Sequence, residues 1–261
     1  MSSLESAIRI LHCLSPETPC LRVSELSERL KIPKSTVSRL LKTLSDGGVL
    51  DRNDDTREYV AGPVALQLGG LYLAKHDLLD MVDEEVCRLV QQFGFTGYVA
   101  VLDRAEAVIL RCRHGTYPLK FVIEVGTRQS AAEAALGIGL LAQLEQNALM
   151  SALAAPRIDD SYIHPPAETT LAQIEEFRQK GWVEVPCISV PEITAIGSAV
   201  DVSGSNQPAI GFSISFPDSA ADSALRAKIA AEIGAAARKL SSIATHFASQ
   251  QSPGRPPQQL K

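Results

Sequence analysis

Several things are missing from this chain, and each absence narrows what it can be. No run of about 18 uncharged apolar residues occurs, so no membrane span is expected. The start, Met1-Ser2-Ser3-Leu4-Glu5, lacks the basic residues and apolar block of a secretory signal. Cysteine pairing is missing too. Cys13, Cys20, Cys87, Cys112 and Cys187 are odd in number, scattered, and form no CxxC. That speaks against a disulfide framework and for reduced thiols in a cytoplasmic protein. Net positive charge is also lacking, since the balance is −5. A basic coat for any polyanion is thereby excluded, and a nucleic-acid site must draw on local charge. No GxSxG elbow is present. The histidines at 12, 76, 114, 164 and 246 fall in no motif with a nucleophile, and neither Cys112 nor Cys187 sits in a catalytic motif.

What is present begins with size. The chain has 261 residues, of which 45% are hydrophobic, enough for about two domains with a sizeable core. Leu4, Ala7, Ile8 and Leu11 recur at helical spacing, until Pro16 and Pro19 break the pattern. Val23, Leu26 and Leu30 predict a second short helix. Lys31-Ile32-Pro33 then makes a tight turn, with Pro33 suited to the first position of a third helix. Val37, Leu40, Leu41 and Leu44 form its apolar stripe, and Gly47-Gly48 stops it. This order is that of a helix-turn-helix.

The other face of the third helix carries Lys34, Ser35, Thr36, Ser38, Arg39 and Lys42, with no acid between Lys31 and Lys42. Such side chains donate to phosphates and base edges from a helix that fits the major groove. A hairpin follows, with Val49 to Arg52 and Arg57 to Val60 flanking Asn53-Asp54-Asp55-Thr56. It reads as a wing, with Arg52 and Arg57 beside the groove. A solvated basic face on a small helical domain is the plainer alternative. After Gly62-Pro63, residues Val64, Ala65, Leu68, Leu71 and Tyr72 predict an amphipathic helix reaching His76, weakened by Gly69-Gly70. Its apolar face would pair with the same helix of a second subunit.

Beyond it, Val82, Val86, Leu89, Val90 and Phe93 define a helix ended by Gly94. Strands are expected at Tyr98 to Leu102, Ala107 to Cys112, Phe121 to Val125, Thr194 to Val202 and Ala209 to Phe216, the last two joined through Ser203-Gly204-Ser205-Asn206. Helices fit 130–144, 169–180 and 220–248. Hairpin-paired strands with interspersed helices imply a mainly antiparallel sheet under helices, a setting for a small ligand. Ser130 and Glu133 are spaced as a capping box, and a helix start there would favour an anion; the plainer reading is that Ser130 only caps the helix. Ser213 and Ser215 share a sheet face. They would hold a ligand's oxygens or bond to neighbouring backbone, and the spacing does not choose.

Taken together, these residues resemble the IclR family of bacterial transcription regulators. The resemblance rests on Ser3-Leu4-Glu5-Ser6-Ala7, on the run from Ile32 to Leu41, on Leu50-Asp51-Arg52 and on Tyr59-Val60-Ala61-Gly62-Pro63. It continues more weakly through Gly126-Thr127-Arg128, Ala135-Leu136-Gly137, Gly181-Trp182 and Ser213-Ile214-Ser215 to about Gln250. It implies an α+β chain. A winged helix-turn-helix would span 1–63, a linker helix 64–76 and a GAF-like α/β effector-binding domain 77–250, with a disordered tail at 251–261. It further implies a homodimer or dimer of dimers on double-stranded operator DNA, most often as a repressor of catabolic genes, with no cofactor and no metal.

The effector wall implied by the resemblance comprises Ser213, Ser215, Ala195, Cys187, Cys112, Ala134, Leu136 and Gly137. This chain departs from the family where an acid and a cysteine are usual, since Val185-Pro186-Cys187 and Ala195 stand near those places. Ala132, Ala134 and Ile138 replace the usual histidine, hydroxyl residue and lysine. A more apolar, roomier pocket follows, suited to a small organic acid or aldehyde-acid with an apolar or aromatic body. Two decoys are set aside. Gly137-Ile138-Gly139-Leu140-Leu141-Ala142 spells GxGxxA but lies within a helical pattern rather than after a strand. Cys112 and His114 are too few for a zinc site. An enzyme on a GAF-like domain and a winged-helix protein–protein module stand as alternatives. The acid-free basic face argues against the second, and the missing catalytic constellation against the first.

Overall fold

The computed structural model describes residues 2–74, 77–119, 122–154, 165–202 and 208–251. The chain divides into two compact units, Met1–Asp77 and Leu78–Lys261.

In the first unit, α1 (Ser3–Leu11) opens on a capping box. Ser2 Oγ accepts the Glu5 N–H at 3.1 Å, while the Ser2 N–H donates to the Glu5 carboxylate at 3.2 Å. α2 (Val23–Leu30) ends at Lys31, whose φ of 56° is a left-handed turn made without glycine. α3 (Lys34–Asp46) follows, with Pro33 one residue earlier than expected, at the N-cap. Ile10, Leu26, Val37, Leu40, Leu41, Leu50 and Tyr59 form one buried cluster beneath the three helices. β1 (Leu50–Arg52) and β2 (Tyr59–Ala61) pair antiparallel, Arg52 opposite Tyr59. Asn53 Oδ1 closes the turn by accepting the Asp55 and Thr56 N–H groups at 2.9 and 3.1 Å. A bridge from Leu21 to Tyr59 fastens this wing to the helices.

α4 (Pro63–Ala74) runs through Gly69-Gly70 without interruption. It is not amphipathic as expected. Its residues are apolar on every side, and Leu66, Leu68 and Leu71 stand well out of the fold, Leu66 at 79% exposure.

The second unit is a six-stranded antiparallel sheet. Its strands are β3 (Thr96–Asp103), β4 (Glu106–Arg113), β5 (Arg128–Ser130), β6 (Val183–Pro186), β7 (Ile193–Val200) and β8 (Ile210–Pro217), in the order β5-β4-β3-β8-β7-β6. One face is covered by α5 (Asp77–Phe93) and α9 (Ser223–Gln251). These helices are laced together by Arg88–Glu232 and Lys239–Glu85 ion pairs, each at 3.0 Å. Gly97 lets Val86 and Val90 of α5 approach the sheet. The opposite face carries α6 (Ala135–Ala142), with α8 (Ala167–Lys180) packed against it and α7 (Gln146–Ala154) following it in the chain.

Three expectations need correction. Residues 122–126 are irregular backbone and a turn rather than a strand; the third strand is Arg128–Ser130, set after the turn at Gly126 (φ 93°). The helix expected at 130–144 is divided. Ala131–Glu133 is a single 3-10 turn, and α6 begins only at Ala135. The Ser130–Glu133 capping box is therefore not made, because Ser130 closes β5 and makes no cap bond. α7 carried no strong periodicity and was not foreseen. The link at 203–206 and the tail beyond Gln251 lie outside the described residues.

α6 sits almost in contact with the sheet backbone. A Cβ on Gly197 would fall 2.6 Å from Leu136 N and 2.7 Å from the Ala135 carbonyl carbon, and one on Gly211 would fall 2.7 Å from Leu136 O. These neighbours are backbone atoms, so no rotamer change relieves the clash. Gly197→Ala is expected to destabilise the protein by about 1–3 kcal/mol, the usual cost of overpacking, read from urea unfolding. Gly69 has nothing within 4 Å of its Cβ position, so Gly69→Ala should stabilise α4 by up to ~1 kcal/mol through helix propensity alone.

Candidate nucleic-acid interface and ligand pocket

α3 presents two rows to solvent. Lys34, Ser38 and Lys42 follow one another at i, i+4 spacing, and Ser35, Arg39 and Thr43 form the row beside them. All are exposed; Thr36 is half-buried at the edge of the face. Within the described residues Lys34, Arg39 and Lys42 have no ion-pair partner. Three cations thus stand on one helix face without internal neutralisation, which leaves their charge available to a polyanion. Thr43, whose hydroxyl donates to Arg39 O at 3.0 Å, was not foreseen. It completes the second row by simple helical spacing.

In the wing, Arg52 and Arg57 are both exposed. Arg52 lies 5.9 Å from the Tyr59 ring centroid and 3.9 Å from Asp54. Arg57 holds a left-handed φ of 58°, which turns the chain back into β2. Arg22, overlooked in the sequence, bonds both Glu25 and Glu58 and so ties the start of α2 to the wing. Those bonds, together with the field of the two carboxylates, keep its guanidinium protonated even more firmly than usual.

The second unit holds a pocket between the start of α6 and the sheet. It is open to solvent at its mouth. Of the residues expected in its wall, Ser213, Ser215, Ala195, Cys187, Ala134 and Leu136 are there. Cys112 and Gly137 are not. Cys112 stands across from Tyr98 on β4, its sulfur 3.9 Å from His114 Nδ1, and burial pushes that thiol up from its ordinary pKa. Gly137 packs on the chain below it; a Cβ there would fall 2.2 Å from Ala131 O. Ala132 and Ile138 are likewise core residues, and only Ala134 of the substituted trio reaches the cavity.

The wall also contains residues that sequence patterns did not flag, among them Tyr98, Ile123, Gln129 and Glu133. Tyr98 was readable only as a strand residue, because its neighbours across the sheet are far away in sequence. It pairs with Ser213 on β8 and with Cys112 on β4. Ser213 is buried and Ser215 half-buried. Within the described residues neither hydroxyl has a protein hydrogen-bond partner. A buried hydroxyl facing a cavity without a partner is one a ligand oxygen would satisfy. Ala134, Ala135 and Leu136 at the start of α6 line the same cavity, and the first turn of a helix leaves N–H groups without intrahelical partners. The described residues include no grouping of three or more His, Cys, Asp and Glu that would hold a metal ion. No helix among them is long and apolar enough to cross a membrane.

With this geometry in hand, known proteins give a consistent picture. The family model described as the IclR helix-turn-helix domain matches residues 3–54. The one described as the bacterial transcriptional regulator IclR C-terminal domain matches residues 70–242. The Escherichia coli transcriptional repressor AllR is 28% identical over 222 residues, covering 83% of this chain and 80% of that protein. A crystal structure of an IclR-type regulator from Silicibacter sp. TM1040 shares the fold with a TM-score of 0.80 at 20% identity, covering 93% of this chain and 96% of that one. An IclR homologue from Microbacterium hydrocarbonoxydans, solved with 4-hydroxybenzoate, has a TM-score of 0.66 at 21% identity, covering 91% and 100%. The helix-turn-helix with its basic outer face, the helix-covered sheet with its pocket, and family matches over most of the length together make this chain a member of the IclR family of bacterial transcriptional regulators, which bind DNA and are not enzymes.

Proposed function

We propose that this protein is a cytoplasmic repressor of catabolic genes that binds its operator as a homodimer, or dimer of dimers, and is modulated by a small carboxylate ligand. The observation that carries this reading is the α3 face with three cations that have no ion-pair partner among the described residues. Two such helices in successive major grooves would read a near-palindromic site. Lys34, Ser35, Thr36, Ser38, Arg39 and Lys42 make the contacts, with Arg52 and Arg57 on flanking phosphates. The working division is a DNA-binding domain at 1–63, a linker helix at 64–76 and an effector domain from 77 to 250. Exposed Leu66, Leu68 and Leu71 on α4 supply an apolar surface that a second copy would cover. Repression is favoured by the likeness to AllR, which is named a repressor.

For the ligand, Ser213, Ser215 and the first turn of α6 are donors to a carboxylate, and Val185, Ile193, Ala195 and Leu136 are an apolar bed for its body. Among the described residues that wall includes Glu133 and no Lys, Arg or His. A monocarboxylate therefore fits better than a dianion. The Microbacterium homologue holds 4-hydroxybenzoate, a molecule of this kind. Ligand would shift DNA affinity only through its preference for one of two arrangements of the protein, and the coupling is reciprocal.

Fluorescence anisotropy on duplexes from the neighbourhood of its own gene, against random duplex in a salt series, tests the DNA reading. Tight binding to one segment that weakens with salt is expected; equal weak binding to all duplexes would sink it. On that segment Arg39→Ala should lose about 1–3 kcal/mol and relax sequence preference, whereas Lys42→Ala should weaken all sequences alike and lower the salt slope by about 1. The double change Ser213→Ala with Ser215→Ala should abolish the ligand response while ligand-free DNA binding stays normal. Lost DNA binding with an intact ligand response would refute the pocket assignment.

A further inference from the structure

The pocket wall has unpartnered polar side chains on two strands that are not neighbours. Ser213 and Ser215 stand on β8, and Gln129 stands on β5, the edge strand, with β4 and β3 between. Adjacent strands lie about 4.8 Å apart, so β5 and β8 are separated by about 14 Å. The direction of the Gln129 side chain follows from the pleat. Arg128 and Gln129 are consecutive, so they leave β5 on opposite faces. Arg128 turns to Glu106, at 2.6 Å, and to Asp103, and these ion pairs fasten the edge strand to the β3–β4 hairpin. Gln129 pairs with Ala107, whose side chain is buried in one cluster with the residues of α6, and residues directly opposite share a face. Gln129 is half-buried, and among the described residues its carboxamide makes no hydrogen bond. That group carries two donors and an acceptor. An apolar side chain would fill an inward-facing place at lower cost, so the amide is poised for a partner that enters the cavity.

We propose that Gln129 is a specificity-determining residue of this pocket, which bonds a hydroxyl at the end of the ligand remote from its carboxylate. The inference rests on the ligand reading above and deepens it. The ligand class narrows from a monocarboxylate with an apolar body to an elongated one with a polar group at each end. A hydroxyl both donates and accepts, as the carboxamide does, so each satisfies the other. Ala134, Leu136 and Ile123 give the apolar middle of such a molecule its bed. Ser213 and Ser215 hold the carboxylate, whereas Gln129 reads what lies at the far end. An acid without the second group leaves the amide unpaired, and discrimination is the difference in affinity between two such acids.

The test uses two pairs of acids that differ only by a para-hydroxyl, at two lengths: benzoate with 4-hydroxybenzoate, and cinnamate with 4-hydroxycinnamate. Binding is measured by calorimetry on the full chain, for the wild type, Gln129→Leu and Ser215→Ala. We expect the wild type to prefer the hydroxylated member of at least one pair by about tenfold, the net worth of one hydrogen bond. Gln129→Leu keeps the length of the side chain and removes the amide. It should lose that preference yet bind the unsubstituted acid as tightly as the wild type or more tightly, which a damaged fold would not do. Ser215→Ala acts at the other end, so it should weaken both members of a pair by the same factor and keep the preference. A preference that survives in Gln129→Leu overturns the proposal. So does a wild type that binds the acids but gains nothing from the hydroxyl in either pair, an outcome that leaves the carboxylate reading standing. If the wild type binds none of the four, the carboxylate reading falls and takes this inference with it, whereas the DNA reading is untouched.

Discussion

The close seating of α6 on the sheet is the constraint from which the ligand-binding unit is built. Gly197 and Gly211 leave no side chain between the sheet and the first turn of the helix, and Gly137 lets that turn fold down on Ala131. Because the backbones meet there, the start of α6 lines the same cavity as Ser213 and Tyr98. The pocket is therefore the space left beside a tight contact, and its position follows from three missing side chains.

The DNA-binding unit works by division of faces. One stripe of α3 is consumed by the core through Val37, Leu40 and Leu41. That fixes which rows must face outward. The rows left over carry Lys34, Arg39 and Lys42 with no acid to neutralise them, in a chain whose overall charge is negative. The wing is held to this frame by the Leu21–Tyr59 bridge and by Arg22 bonding Glu58, so its arginines have a defined position relative to α3. A positive charge confined to the outer face of one helix gives a chain of net negative charge a local surface for a polyanion.

Much of this was legible from local pattern. The helix-turn-helix, the outward set on α3 and the wing were read from the spacing of apolar residues and from turn chemistry, both of which act within about four positions along the chain. The same holds for the hairpin of β3 and β4. The reading failed where local preference was ambiguous. Alanines and small residues from Ala131 to Ala142 suit a helix throughout, yet Ser130 is held in β5 by pairing with Glu106, so the helix could start only at Ala135. Residues 122–125 have strand composition, but the turn at Gly126 takes them out of register with β4.

By itself, then, the sequence determined that the helix-turn-helix precedes the sheet unit, the elements of the first unit, the side chains exposed on α3 and the face shared by Ser213 and Ser215. Periodicity and capping are short-range physics and are written in consecutive residues. The tertiary structure alone decided who lines the pocket. Tyr98 joins Ser213 and Ile123 there because β3 pairs with β8 and the 122–126 stretch folds back over the sheet. Cys112, one strand further out on β4, is not in the wall, and Gly137 is excluded because it packs against Ala131. Those facts depend on contacts between residues tens of positions apart, and no local pattern encodes which partners a buried side chain will meet.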